Sequence, residues 1–259
     1  MGRGRLSRLL AVAANTFRET VRERVLYNLV FFAILMTLSG LLLGQLSIRQ
    51  DQKIIKDVGL AAMELFGTLI AIFIGVGLVS KEIERRSLYP LLAKPLGRGE
   101  FFLGKFLGLA FTLLVNVALM TVGLYLTLLA TGGPVDPRLL KAVYPLYLGL
   151  LLVVALALLF SSVTSSALDS VFTVGVVVAG RYSDVIRNMR EVAPGAPTWL
   201  TQALYYALPN FRNFDFKDRV AYGDAVPGGA LGWVTLYALA YLALVLGIGL
   251  LSFRSRDFQ

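Results

Sequence analysis

Charge is missing from this chain in long blocks. Between Arg24 and Arg49 run 24 residues, Val25 to Ile48, without one charged side chain. An α-helix needs about 20 apolar residues to cross the hydrocarbon core of a bilayer, so the block predicts a transmembrane helix. The same reading predicts spans at about 25–48, 58–80, 106–131, 142–162 and 228–253. The second contains one carboxylate, Glu64, and the third ends in Gly132-Gly133-Pro134. The fourth holds Pro145 in its first turn, where proline is tolerated, and the last is entered through Pro227-Gly228-Gly229. Residues 163–180 are apolar too, but only 11 residues separate Asp169 from Arg181. They read as a short span or as a re-entrant segment; taken as a span, they make the fifth of six. The expected fold class is all-α, a polytopic membrane protein in one domain over residues 1–259.

Composition agrees. Hydrophobic residues make up 57% of the chain and charged residues 16%, with mean hydropathy +0.72; a soluble domain carries about 25% charge. The chain has no His and no Cys, which removes His-based general-base catalysis, Cys nucleophiles, disulfides and the usual zinc or haem sites. Without His or Cys, direct transition-metal transport is also disfavoured. The net charge of +9 points to membrane topology ahead of nucleic acid. Six Lys/Arg precede the first span and six lie in 81–105, against three in 49–57 and two in 136–141. Short loops and the first helix dominate the positive-inside rule, so both termini are expected in the cytosol. The 181–227 loop carries six bases offset by Asp184, Glu191, Asp215, Asp218 and Asp224, and is expected outside. The N-terminal apolar block is expected to be a retained anchor, since it is too long for a cleavable signal.

Four segments lie outside the spans. In residues 6–24, Leu6, Leu9, Leu10, Ala13, Phe17 and Val21 recur at helical spacing, with Arg8, Arg18, Glu19, Arg22 and Glu23 on the other face. Such a helix suits the anionic cytosolic leaflet, with membrane lipid as its partner; the alternative is a solvated lead-in. The 81–105 loop is longer than a connection requires. Ile83, Leu88, Leu91 and Leu92 stand among Glu82, Glu84, Arg85 and Arg86 before Pro95-Leu96-Gly97 breaks the run. A compact amphipathic helix of both charge signs fits a groove on another protein; the bland reading is an orientation signal. In the 181–227 loop, residues 182–193 and 198–208 predict short helices around Pro194-Gly195-Ala196-Pro197. Its aromatic residues favour the membrane interface, so it is expected to cap the bundle at headgroup level. The C-terminal Arg254-Ser255-Arg256-Asp257 reads as a cytosolic stop.

Polar groups inside spans are functional candidates because hydrocarbon makes them costly. Here they are Gln45, Glu64, Asn116 and Asp169, besides Ser and Thr. Glu64, about two turns into the second span, is either a wall of a polar cavity or a helix-packing carboxylate. Asp169 follows the Ser161–Ser166 run and reads as a helix-start acid favoured by the dipole, or as a proton relay. No GxxxxGK[ST] or GxSxG occurs, so neither a nucleotide site of that kind nor a serine elbow is expected.

The run Glu82-Ile83-Glu84-Arg85-Arg86-Ser87-Leu88-Tyr89-Pro90-Leu91-Leu92-Ala93-Lys94-Pro95, then Arg98-Gly99-Glu100 and Gly104-Lys105, resembles the cytosolic coupling segment of type-2 ATP-binding-cassette exporter permeases. The family pattern is an acid, a T/S-L-x-x-L-L core, a proline, a small-basic pair and Gly-Lys at the third span. The resemblance extends to an elbow helix, six spans, and Leu208-Pro209-Asn210-Phe211 in the last long loop. The nearest branch is the bacterial permeases that include the nitrous-oxide-reductase maturation permease. The resemblance implies a half-transporter in the bacterial inner membrane, working as a dimer with a second copy of itself. Separate cytosolic ATPase subunits would carry the ATP and Mg, leaving no cofactor, metal or catalytic residue on this chain. Glu82, Ile83, Glu84, Arg85, Arg86, Ser87, Leu88, Tyr89, Leu91 and Leu92 would then seat in the ATPase groove. Leu6, Leu9, Leu10, Phe17, Arg18 and Arg22 would form the elbow, Glu64, Asn116 and Asp169 would be pathway candidates, and the outer loop would gate the exit. Periplasmic or accessory proteins would be further partners. The competing readings are a non-transporting membrane scaffold for a cytosolic partner, an ATP-independent carrier, and a membrane enzyme.

Overall fold

The computed structural model describes residues 2–20, 31–32, 34–35, 51–84, 97–188 and 197–255. Among these the chain is helical with no strand. Among the described residues, four helices are long and apolar enough to cross a membrane, over Gln52–Val76, Gly99–Ala130, Pro137–Val163 and Gly228–Phe253. The protein is thus an all-α, multi-pass membrane protein. Of the first predicted span only Phe31, Phe32, Ile34 and Leu35 fall within the described residues, and they are helical.

Helix α1 is Gly2–Thr20, α2 is Asp51–Glu84 and α3 is Arg98–Ala130. At 34 residues, α2 is about 50 Å long, against about 30 Å of hydrocarbon. It therefore overruns the predicted 58–80 span at both ends, and Glu82, Ile83 and Glu84 continue its last turn. Helix α3 starts eight residues ahead of the predicted span. Glu100 in its first turn reaches back to accept the Gly97 N–H at 3.4 Å, half of a capping box. A short 3₁₀ turn, Pro137–Leu139, leads into α4, Leu140–Val163, which places Pro145 in the second turn of that helix. Thr164 is extended and stops α4, its hydroxyl donating to the Phe160 carbonyl at 2.9 Å. The expected boundary at 162/163 is thus a two-residue break, and α5 runs Ser166–Arg181. Among the described residues three short helices follow, α6 (Ser183–Arg187), α7 (Thr198–Ala207) and α8 (Lys217–Ala221), before α9, Gly228–Ser255. The predicted helix at 182–193 is seen as α6 alone, since residues 189–196 lie outside the described set.

Contacts fix the helix directions. Gly67 of α2 lies against Leu150 of α4, and Gly75 against Ala157, so these two run parallel. Helix α9 is parallel to α4: the Tyr144 and Thr235 hydroxyls are 2.9 Å apart, and Gly249 packs near Leu159. Helix α3 opposes α2, with Gly133 beside Gln52 and Thr121 beside Met63. The bundle thus has a Glu84 end, with Val163 and Phe253, and an Asp136 end, with Leu140 and Gly228. Helix α4 is the axis. Leu152, Val154, Ala155, Ala157 and Leu158 are completely buried, as expected of a helix apolar on every side.

Helix α1 lies along the first turns of α3 in the same direction. Arg8 Nε is 3.5 Å from Glu100, and the Phe17 and Phe111 rings meet edge-on at 4.8 Å. A Cβ at Gly108 would sit 2.6 Å from the Ala13 carbonyl oxygen and from Thr16 Cβ; only glycine allows that approach. Thr16 and Thr20 are buried here, while Leu6 and Leu10 are exposed. The apolar stripe read from the sequence is therefore divided between a helix–helix contact and an outward strip.

Candidate functional site at the Asp136 end

Beyond α7 the chain turns inward. The Asn210 side chain accepts the Arg212 N–H at 3.0 Å and starts a 3₁₀ turn, Phe211–Phe214, that leads into α8. The alternation of aromatic and polar residues drives this segment into the bundle: Phe211, Phe214, Phe216 and Val220 are buried, whereas Arg212 and Asp218 point away. Phe214 packs on Gly149 of α4, and Phe211 on Gly180 near the end of α5. From α9, the Tyr237 hydroxyl accepts the Asn210 N–H at 2.7 Å, and the Tyr241 hydroxyl lies 3.3 Å from the Leu208 carbonyl oxygen. The 181–227 loop was expected to lie at headgroup level. Its 211–221 part packs between the helices, because its three phenylalanines find apolar partners there.

A cavity lies beneath it, with an apolar wall that includes Leu146, Leu150 and Val153 and a polar wall of Glu64, Thr68, Arg181 and Lys217. Glu64 Oε1 takes the Arg181 guanidinium, whose other amino group donates to Thr68 Oγ1 at 3.1 Å. Glu64 Oε2 accepts from Lys217 Nζ at 3.1 Å, and the same ammonium is 3.3 Å from Asp215. Burial depresses the Lys217 pKa, but the Glu64 and Asp215 carboxylates outweigh it, and the net shift is upward. Two acids and two bases thus form a neutral cluster that ties α2, the end of α5 and the inserted segment together.

Geometry explains why Arg181 meets an acid inside the bundle. Sixteen residues give α5 a length of about 24 Å, short of the roughly 30 Å core. Leaving the Glu84 end, it stops beside Glu64 and Thr68, well before α2 reaches its own start. Arg181 thus ends α5 beside Glu64 and among the helices, where a charge drawn out of water needs a partner.

Glu64 lines the cavity and is ion-paired to Arg181 and Lys217 there. The other two pathway candidates lie elsewhere. Asn116 on α3 is 1% exposed, and neither of its amide atoms has a partner among the described residues. Asp169, in the first turn of α5, is fully buried; its Oδ1 accepts from Thr173 at 3.1 Å, while Oδ2 and the Ser161 hydroxyl have no partner there. Of the coupling residues, Glu82, Ile83 and Glu84 end α2, and Arg85, Arg86, Ser87, Leu88, Tyr89, Leu91 and Leu92 lie outside the described residues. Of the elbow set, Leu6 and Leu10 face out, Leu9 and Phe17 are half-buried, Arg18 is exposed and Arg22 lies outside the described residues. No group of three or more acidic, His or Cys side chains suited to a metal occurs among the described residues.

The sequence reading passed over Arg181, Lys217 and Thr68. In sequence Arg181 and Lys217 stand among loop charges, yet the signal is present: a short helix ends in arginine, and the second span holds one acid. Against known proteins, a family profile described as ABC-2 family transporter protein matches residues 10–258. No curated protein sequence matches the chain.

Proposed function

The chain belongs to the ABC-2 transporter family, and on that premise we propose that it is the membrane half of an exporter whose exit is closed by the inserted 211–221 segment. As a permease subunit of an ATP-binding-cassette transporter, it belongs to a family that implies pairing with a cytosolic ATPase. The finer reading is a homodimer of six-span subunits in the bacterial inner membrane, with both termini cytoplasmic and ATP and Mg held by the ATPase. The coupling motif favours the branch that includes the nitrous-oxide-reductase maturation permease. The Glu84 end then faces the cytosol and the Asp136 end faces outward.

One observation carries the exporter reading: at the end opposite the coupling segment, aromatic chain is folded into the bundle over a cavity with a polar wall. In the proposed cycle the ATPases close on ATP and push the 82–92 segments. The bundles rock as rigid bodies, and the inserted segment withdraws from α4 to open the path outward. Helix α1, locked to α3 through Gly108, moves with it and keeps the bundle registered to the membrane surface.

The experiment is gentle extraction of the tagged chain from its native membrane. The expected result is a stoichiometric partner with a Walker A motif, lost in Arg85→Glu/Arg86→Glu while the spans stay folded. A chain that purifies alone, or a reversal that leaves ATPase coupling intact, overturns the reading in favour of a scaffold or carrier.

A further inference from the structure

Resting on the reading of 211–221 as the exit closure, we propose that Glu64, Arg181, Lys217 and Asp215 form a charge-handover latch. In the closed state Glu64 binds two cations, Arg181 on one carboxylate oxygen and Lys217 on the other. The two cations belong to different elements: Arg181 ends α5, while Lys217 starts α8 on the inserted segment. Lys217 also has Asp215 on its own segment at 3.3 Å, nearly as close as Glu64 at 3.1 Å.

That geometry makes release cheap. When the segment withdraws, Lys217 leaves with Asp215 as its counter-ion. Glu64 stays behind with the Arg181 guanidinium, and Thr68 holds the second amino group at 3.1 Å. No charge is stranded in either state, so the desolvation cost that makes breaking a buried pair severe is avoided. Within the charge cluster, closed and open forms differ by one ammonium–carboxylate contact. The larger difference is the apolar packing of Phe211, Phe214 and Phe216, which the partner ATPase has to overcome, and the latch keeps the ionic part from adding to it. Asp215 also accepts the Lys217 N–H at 3.3 Å, so it travels with the ammonium on one turn of chain, and in the latch it is the receiving carboxylate.

The two acids therefore act in opposite senses. Glu64→Gln leaves Arg181 and Lys217 facing each other without their shared anion and favours release. Asp215→Asn removes the partner Lys217 needs outside and favours closure. The absence of native cysteine allows a clean reporter. A Cβ at Gly149 would lie 3.4 Å from Phe214 Cβ, close to the separation of about 3.5–4.5 Å found in disulfides, so Gly149→Cys/Phe214→Cys should cross-link when the segment is seated. The measurement is the disulfide yield of this pair in the permease–ATPase complex in liposomes, at rest and trapped with ATP and vanadate. We expect a high yield at rest that is lost in the trapped state. On that background Glu64→Gln should lower the resting yield, and Asp215→Asn should retain cross-linking in the trapped state. If the pair parts with ATP but both substitutions shift the yield in the same direction, or neither shifts it, the latch is overturned and the closure stands. If the pair stays joined in every nucleotide state, the exit closure itself fails.

Discussion

Asp136 concentrates more bonds than any side chain in the cluster that fastens the helix ends around it. Its carboxylate accepts Lys56 Nζ at 2.9 Å and the Arg138 N–H at 3.0 Å, and its carbonyl accepts the Tyr125 hydroxyl at 2.9 Å. These bonds join α2, the end of α3 and the turn into α4. Burial raises the Asp136 pKa, but the Lys56 ammonium and the Arg138 amide and guanidinium lower it further, and the net shift is downward. A carboxyl whose folded pKa is depressed contributes stability that is complete above its ordinary value near 3.8 and is lost as pH falls through the lower folded value. Asp136→Asn should therefore lower the thermal midpoint of the purified protein at pH 7. Losing bonds to a charged acceptor costs on the order of 1–2 kcal/mol, and the gap between the two proteins should narrow only below about pH 4. An equal gap at pH 7 and pH 3 would show that the ionised carboxylate is not what fastens these ends. Lys217 has the opposite sign. Its raised pKa keeps its contribution intact until pH climbs above the ordinary lysine range, so ordinary alkalinity leaves the cluster paired.

At the scale of elements, two glycines decide how the accessory segments sit. Gly108 admits α1 to α3, and Gly180 admits the 208–211 turn to the end of α5. A Cβ at Gly180 would stand 2.3 Å from the Pro209 carbonyl oxygen and 2.7 Å from the Phe211 ring. Backbone cannot yield as a side-chain tip can, so Gly180→Ala should push the inserted segment off α5 while leaving α5 itself helical. The check is limited proteolysis at the Asp136 end: faster cleavage within 197–227 is expected, with the α2–α4 core resistant as before. Unchanged cleavage would mean that the turn is held by Tyr237 and Tyr241 alone. The sequence disclosed the long helices because each is a charge-free block of membrane length, and it disclosed α1 because its stripe is periodic. It could not disclose where the 211–221 segment goes. Phe211, Phe214 and Phe216 read equally well as headgroup aromatics and as buried ones, and the choice between them is made by Gly149 and Gly180, far away in sequence. The Glu64 partners were hidden for the same reason, since Arg181 and Lys217 stand 117 and 153 residues away.

Across the whole molecule, helix direction constrains how the chain is threaded. Helix α4 ends at the Glu84 end, and α9, parallel to it, starts at the Asp136 end. The chain must therefore return across the bundle between them, and α5 is the only long helix among the described residues that does so. It covers about 24 Å of the way, and the inserted segment comes down to meet it. Similar reasoning applies at the N-terminus: α1 runs with α3 toward the Asp136 end, and Phe32 lies beside Gly123, further along α3. The proposed six crossings, with both termini at one end, require these directions. On the proposed orientation, Pro134, Asp224 and Tyr182 all belong to the outer side of the chain, yet they differ in depth. Pro134 and Asp224 flank the ends of α3 and α9, while Tyr182 follows Arg181 at the level of Glu64 and Thr68, inside the hydrocarbon if α5 is the fifth span. Single cysteines in this otherwise cysteine-free chain separate the three. A membrane-impermeant maleimide applied to intact cells should modify Pro134→Cys and Asp224→Cys, and should reach Gly97→Cys only after permeabilisation. Tyr182→Cys should stay unmodified from either side although its side chain is 62% exposed on the protein surface, because lipid covers it and a thiolate does not form there. Rapid labelling of Tyr182→Cys from outside would mean that α5 emerges into water. The Glu64–Arg181 pair would then be a rim contact at the surface, and the return crossing would have to be built from other residues.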